Sequence, residues 1–343
     1  MPRTLGVLLN AEYALRDLIE LGRLSEELGY HQLWYTDVRM FRECYLGLAA
    51  LAAHTQRILL GPGVTDPFSR HPAVTAATIA TFDELSGGRA LLGLGVGSTG
   101  FRELGIAKRL PVAALRETVD VVRRLLRGEE VSVQGKVVSL AGGRLQFTPP
   151  RESIPIYFAT QGAQITKLAG EVADGVLIAN TVVPSAIAFY LEQLREGAAK
   201  TGRRLDALDI ALRFEVCISE DEEAALGVMR RRVALRLIAG HGHWDFLERL
   251  GIELPAAFVE IAARRDARLA NEAAAALPVE AVRKTVLAGS PERVAAQVAE
   301  VLRPEITNIT IRPHALPGQG VAPVLRAFVE EVMPRVDRLR RGP

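Results

Sequence analysis

Four short segments of this chain place small, hydroxyl-bearing or amide-bearing residues where a β-rich run ends: YTD at 35–37, GPGVTDPFSRHP at 61–72, GVGST at 95–99 and ATQGAQ at 159–164. Asp37 can accept a hydrogen bond from a bound ligand, or cap the helix that follows it. The two glycines and two prolines of GPGVTDP, which carries Gly63, Val64 and Thr65, interrupt a strand and let a ligand reach the main chain. An ordinary turn after a strand has the same composition. ATQGAQ, with Thr160, leads into a helical pattern, so the amides of Gly162, Ala163 and Gln164 can cradle a phosphate at the positive end of the helix or serve as a plain cap. His71 precedes Pro72 at a helix start and is open to capping or to a substrate-facing role, and His314 follows the last β-rich run, where it can line a pocket.

Other chemistries find less support. Gly95, Gly97 and Gly100 satisfy G-x-G-x-x-G, but the pattern follows the fourth β-rich run, the next clear helix starts near Pro111, and no acidic strand end lies at the spacing a dinucleotide site needs. No serine sits in a G-x-S-x-G elbow and neither Cys44 nor Cys217 has a histidine motif nearby, so a covalent hydrolytic mechanism is not indicated. His241 and His243 lack a third ligand, and no metal is expected. A bound cofactor must then carry the chemistry.

Positioning these loop residues requires an alternation of strands and helices. TLGVLL, QLWY, RILLGPGV, RALLGLGVG, PIYFA, DGVLIA, ALDIALRFEVCIS and ITNITIRP read as eight strands, with helical patterns over 14–28, 45–55, 72–85, 111–127, 162–171 and 320–337. Eight βα units predict the α/β class and a (β/α)8 TIM barrel with insertions, whose site forms at the carboxyl ends of the strands. One domain over 1–343 is expected, with a hairpin excursion over 128–150 and a helical insertion over 220–290.

With 49% apolar and 24% charged residues the chain can bury a large core without disulfides, and two cysteines far apart suit a reducing compartment. A net charge of +2 argues against nucleic acid as a partner, and no stretch approaches the roughly twenty apolar residues of a membrane span. A cytoplasmic enzyme with a small-molecule substrate is the expectation.

TQRILLGPGVTDPFSRHPAVTAATIATFDELSGGRALLGLGVGS resembles the third and fourth βα units of the luciferase-like family, most of all its deazaflavin-dependent methylenetetrahydromethanopterin reductase branch. LWYTDVRMFRECY, LRETVDVVRRLLRGEEVSVQGK and PIYFATQGAQITKLAGEVADGVLIAN fit the same pattern, so the resemblance spans most of residues 5–180. It implies a cis peptide at Gly63–Val64 behind a cofactor ring, Asp37 and Thr65 beside that ring, Gly97 and Ser98 bordering the cleft, and the Gly162–Gln164 amides near a phosphate. Thr160 and Asn180 are further candidate cofactor-binding residues, and Asp37 and His71 are the candidate catalytic residues. It also implies a homodimer, and the expected activity is that of a hydride-transferring oxidoreductase that uses coenzyme F420 on a C=N or C=C bond, with residues 240–290 over the substrate. FMN in a monooxygenase, or a barrel that only binds flavin, are the alternatives. The chain departs from many relatives at Val38, where they carry a histidine; valine can neither donate nor accept a proton.

Overall fold

Strands covered on both faces read as nearly continuous apolar runs. β1 (Thr4–Leu9), β2 (Gln32–Tyr35) and β3 (Leu59–Pro62) are of this kind, with Leu33, Trp34 and Tyr35 wholly buried. The computed structural model describes residues 3–97 and 99–341, so Ser98 lies outside the described residues.

The helices between and after these strands are α1 (Leu15–Glu27), α2 (Cys44–His54) and α3 (Pro72–Ser86). α3 shows why its ends fall where they do: Pro72 occupies the first turn, the His71 ring accepts from the Ala73 N–H, and Gly87 stops the helix in the left-handed region at φ 67°. The chain continues through β4 (Leu92–Leu94), α4 (Pro111–Leu126), the antiparallel ribbon β5 (Val131–Gln134) and β6 (Ser139–Gly143), β7 (Ile156–Thr160) and α5 (Ala163–Val172). β8 (Gly175–Ala179), α6 (Pro184–Ala199), β9 (Asp209–Ile218), α7 (Glu222–Ala239), β10 (Leu287–Gly289) and β11 (Asn308–Pro313) complete the strand set, and short helices fill the stretch from α7 to β10.

The strands pair in the order β3-β2-β1-β11-β9-β8-β7-β4, with β10 beside β9. Isolated parallel bridges Leu60–Ala90 and Thr65–Leu94 join β3 to β4. The fold is therefore the (β/α)8 barrel that the alternation predicts. Contacts gather the chain into two compact units: one runs through Leu177 and includes Gln193–Ala211, the other comprises Ile178–Glu192 and the chain from Leu212 on. The first is built around Leu8, Trp34, Leu91, Tyr157, Leu177 and Ala211, with the Trp34 and Tyr157 rings edge to face at 5.1 Å. The second buries Phe214, Phe258 and Phe328.

Glycine makes the β3–β4 junction. A Cβ on Gly61 would fall 2.5 Å from the Leu91 carbonyl oxygen, one on Gly93 would fall 2.1 Å from that of Pro62, and one on Gly95 would fall 2.6 Å from Val64 Cγ2. Gly95 thus serves close packing, and Gly97 and Gly100 serve backbone shape at φ 63° and 86°. These roles account for the glycine triplet without a dinucleotide.

Patterning missed α6 and β10. α5 and α6 pack main chain to main chain, since a Cβ on Gly197 would lie 1.9 Å from the Lys167 carbonyl oxygen and one on Gly170 would lie 2.2 Å from that of Leu194. Packing through small residues leaves a weak apolar stripe. The helix Pro291–Val301 was likewise not singled out.

Gly93→Ala should lower unfolding stability by about 1–3 kcal/mol, the usual cost of overpacking. Gly227→Ala, in the middle of α7 with nothing within 4 Å of its Cβ, should be neutral or stabilising by about 0.5–1 kcal/mol. Urea denaturation of both variants checks the contrast.

Candidate active site

One side chain ties together the loops that leave β2, β3 and β4. Arg39 ion-pairs with Asp66, donates from Nη2 to the Asp37 carbonyl oxygen at 2.8 Å and from Nε to the Thr99 carbonyl oxygen at 3.1 Å, and lies 4.4 Å from the centre of the Phe101 ring. Asp66 also accepts from the N–H groups of Phe68 and Ser69, each at 2.8 Å. The Arg39 and Asp66 side chains are both buried. Removing one partner of such a pair strands a charge, typically at a cost of about 3–5 kcal/mol.

The clamp sets Asp37 against Thr65. The Thr65 N–H donates to the Gly93 carbonyl oxygen and its own carbonyl accepts from Gly95 N–H, both at 3.0 Å, so β4 fixes where Thr65 sits. Its hydroxyl is wholly buried and makes no hydrogen bond among the described residues, yet it lies near enough to Asp37 to favour the charged carboxyl. Burial nevertheless dominates at Asp37 and pushes its pKa up, against the pull of Thr65, Arg39 and Arg70. The Tyr45 hydroxyl is a second buried group without a partner among the described residues; burial drives its pKa well up, and the Asp37 carboxyl nearby adds to the effect. Asp37, Thr65 and Tyr45 therefore form one cluster of buried polar side chains beside the Arg39–Asp66 pair.

The Gly63–Val64 peptide is cis, as the resemblance implies. A Cβ on Gly63 would approach Trp34 Cβ to 2.8 Å, so this segment lies flush on the barrel lining. Gly97 holds φ 63°, and its carbonyl accepts from Lys108 Nζ at 3.2 Å.

β7 pairs with β4 through Leu94 and Phe158, which brings the start of α5 into the same unit's rim. Gly162 is the N-cap of α5, provides no side-chain cap, and has open space where a side chain would project. Its carbonyl is held by Thr160 Oγ1 at 3.1 Å and Thr166 Oγ1 at 2.9 Å. Thr160 thus organises the turn. The Gly162, Ala163 and Gln164 N–H groups have no acceptor among the described residues, as expected for the first turn of a helix.

His71 is exposed and engaged at both ring nitrogens: Nδ1 accepts from Ala73 N–H at 3.1 Å and Nε2 lies 3.0 Å from the Ser139 carbonyl oxygen. Asn180, at φ 61° after β8, belongs to the second unit and has its Oδ1 on two arginines. The structure thus gathers Asp37, Gly63, Val64, Thr65 and Gly97 around one clamp, with Gly162–Gln164 on the neighbouring strand's loop. Sequence reasoning missed Arg39, Asp66 and Tyr45. The one available signal was a pair of opposite charges, Arg39 and Asp66, each close behind a strand end.

The chain belongs to the luciferase-like monooxygenase family, whose sequence pattern matches residues 2–307. Within that family of oxidoreductases it is 34% identical over 318 residues to the 5,10-methylenetetrahydromethanopterin reductase of Archaeoglobus fulgidus, covering 92% of this chain and 94% of the relative. It is 29% identical to the F420-dependent glucose-6-phosphate dehydrogenase of Nakamurella multipartita, over 98% of each chain. The solved structure of the coenzyme F420-dependent tetrahydromethanopterin reductase from Methanopyrus kandleri superposes with a TM-score of 0.85 at 28% identity, over 98% of this chain and all of that one (100%).

A carboxyl whose pKa is raised on folding costs stability in its ionised form, so the penalty is absent below the ordinary carboxylate pKa of about 4 and grows as pH rises through the elevated value. Asp37→Asn should therefore melt higher than wild type at neutral pH and show no advantage near pH 4, in thermal scans without added ligand.

Proposed function

We propose that this protein transfers a hydride between coenzyme F420 and a small organic substrate carrying a C=N or C=C bond. The observation that carries the reading is the buried Thr65 hydroxyl beside Asp37, which has no hydrogen-bond partner among the described residues and can take one from a ligand. The relatives named for F420 support the choice of cofactor.

The residues fit such a cofactor. Thr65 and Asp37 would meet the polar edge of its ring, Gly63 and Val64 would back it, Gly97 would border it, and the Gly162, Ala163 and Gln164 amides would take its phosphate. When bound, F420 supplies or accepts the hydride. The chain's own contribution is orientation and exclusion of water. Asp37, whose pKa burial raises, is a group that could exchange a proton here, as Val38 cannot. His71, already engaged at both nitrogens, is left with helix capping in this reading.

The homodimer implied by the resemblance has a candidate face. α2 is apolar on all sides, and Leu46, Val74 and Leu85 of α2 and α3 are 67%, 51% and 57% exposed around an apolar groove lined by Ala49, Ala77 and Thr81. A second copy of this chain is the proposed cover. Among the described residues no helix is long and apolar enough to cross a membrane.

Fluorescence titration should give F420 affinity at least tenfold above that for FMN or NAD. Tighter FMN binding with oxygen consumption would favour the monooxygenase instead, and binding without turnover would favour a carrier. Gly162→Leu should weaken F420 binding tenfold or more while leaving the melting temperature nearly unchanged, because its side chain enters open space. Leu46→Glu with Leu85→Glu should shift the sedimenting species from dimer to monomer.

A further inference from the structure

The second compact unit buries a charge imbalance that the site above does not use. Glu215 on β9 is 1% exposed, and its carboxylate lies 3.0 Å from Arg232 Nε, 3.5 Å from Arg312 Nη1, 3.6 Å from Arg236 Nη1 and 3.8 Å from Arg213 Nη1. His314 Nε2 is 3.4 Å away. Four guanidinium groups thus lie within 4 Å of one carboxylate. Burial opposes the charge on Glu215, but Arg232, His314, Arg236 and Arg312 outweigh it and hold its pKa well below the usual carboxylate range. Burial pushes His314 below its ordinary value, so the imidazole adds no charge at neutral pH, and pushes Arg236 to about 10, still cationic. The cluster keeps an excess of positive charge in a place where unpaired charge is costly.

Part of that excess has no protein partner. Arg236 Nε and Nη2 are buried with no acceptor among the described residues, while Nη1 shares Asn180 Oδ1 with Arg213 Nη2, at 3.1 Å and 2.5 Å. Asn180 is neutral and lowers none of the charge. Its backbone is pinned as well, with its N–H 3.3 Å from the Arg213 carbonyl oxygen. A guanidinium edge with two idle donors matches the two oxygens of a carboxylate or phosphate. Position agrees: Asn180 directly follows β8, Arg312 is the penultimate residue of β11, His314 lies just beyond it, and Arg213 and Glu215 are on β9. Barrel enzymes bind their ligands at the carboxyl ends of strands.

We propose that this cluster receives an anionic group, a carboxylate or a phosphate, of the organic substrate, with Arg236 as its direct contact and Glu215 holding the arginines in place. The substrate assignment rests on the oxidoreductase reading above; the anion site itself does not. Asn180 is then a positioning residue for the arginines, a role different from the cofactor contact expected from the sequence.

The test is calorimetric titration of inorganic phosphate and of glutarate into the protein without cofactor, with sodium chloride at matched ionic strength as the reference. Saturable binding of either anion beyond chloride is expected, phosphate preference indicating a phosphorylated substrate and glutarate preference a carboxylated one. Arg236→Met should weaken that binding tenfold or more. Arg236→Lys keeps the charge but loses the fork, and should also weaken it if the methionine variant fails to fold. Phosphate and glutarate behaving like chloride, or a lysine variant binding as wild type does, would overturn the proposal. F420 affinity should be unchanged in Arg236→Lys; a parallel loss would mean that the cluster holds the cofactor's own anionic tail, which overturns the substrate assignment. Failure of F420 to bind at all would reject the functional reading while leaving the anion result standing.

Discussion

No side chain fits between the Pro62 carbonyl and the α-carbon of Gly93, and the β3–β4 junction depends on that gap staying empty. Because Gly61 and Gly93 remove the side chains that would hold the two strands apart, Leu60 can bridge Ala90 and Thr65 can bridge Leu94. The second bridge fixes Thr65 through Gly93 and Gly95. A steric allowance in the backbone thus decides where a buried hydroxyl of the site points, and the same allowance explains a glycine pattern that superficially suggests a nucleotide.

Electrostatics then divides the buried groups by how far protein alone satisfies them. Asp66 is completed by Arg39 and two amides, so its role is to hold the loops still. Asp37, Thr65 and Tyr45 are less complete: burial raises the carboxyl's pKa, and two hydroxyls lack partners among the described residues. The Glu215 cluster is incomplete in the opposite sense, having more cations than its one carboxylate can balance. Folding leaves polar groups unsatisfied only at a cost, and such deficits tend to gather where ligands bind.

Much of the fold was legible beforehand. TLGVLL and QLWY coincide with β1 and β2, and Pro72 opens α3, because apolar runs and helix-start chemistry are local properties. The strand-end loops carrying Asp37, Thr65 and Gly162 could also be located from barrel polarity. α6 was not legible, since glycine and alanine packing against α5 blurs the stripe that marks a helix. Arg39 and Asp66 looked like ordinary loop charges: a pair separated by 27 residues has no sequence periodicity to betray it.

The sequence by itself determined the alternation of strands and helices, the family resemblance, and the loops in which chemistry must lie, because each depends on residue type and short-range spacing. Only the tertiary structure decided that Arg39 reaches Asp66, that the Thr65 hydroxyl is left without a partner among the described residues, and that four arginines converge on Glu215. Those outcomes depend on distances between residues far apart in the chain and on the exclusion of water around them, neither of which exists until the strands are brought together.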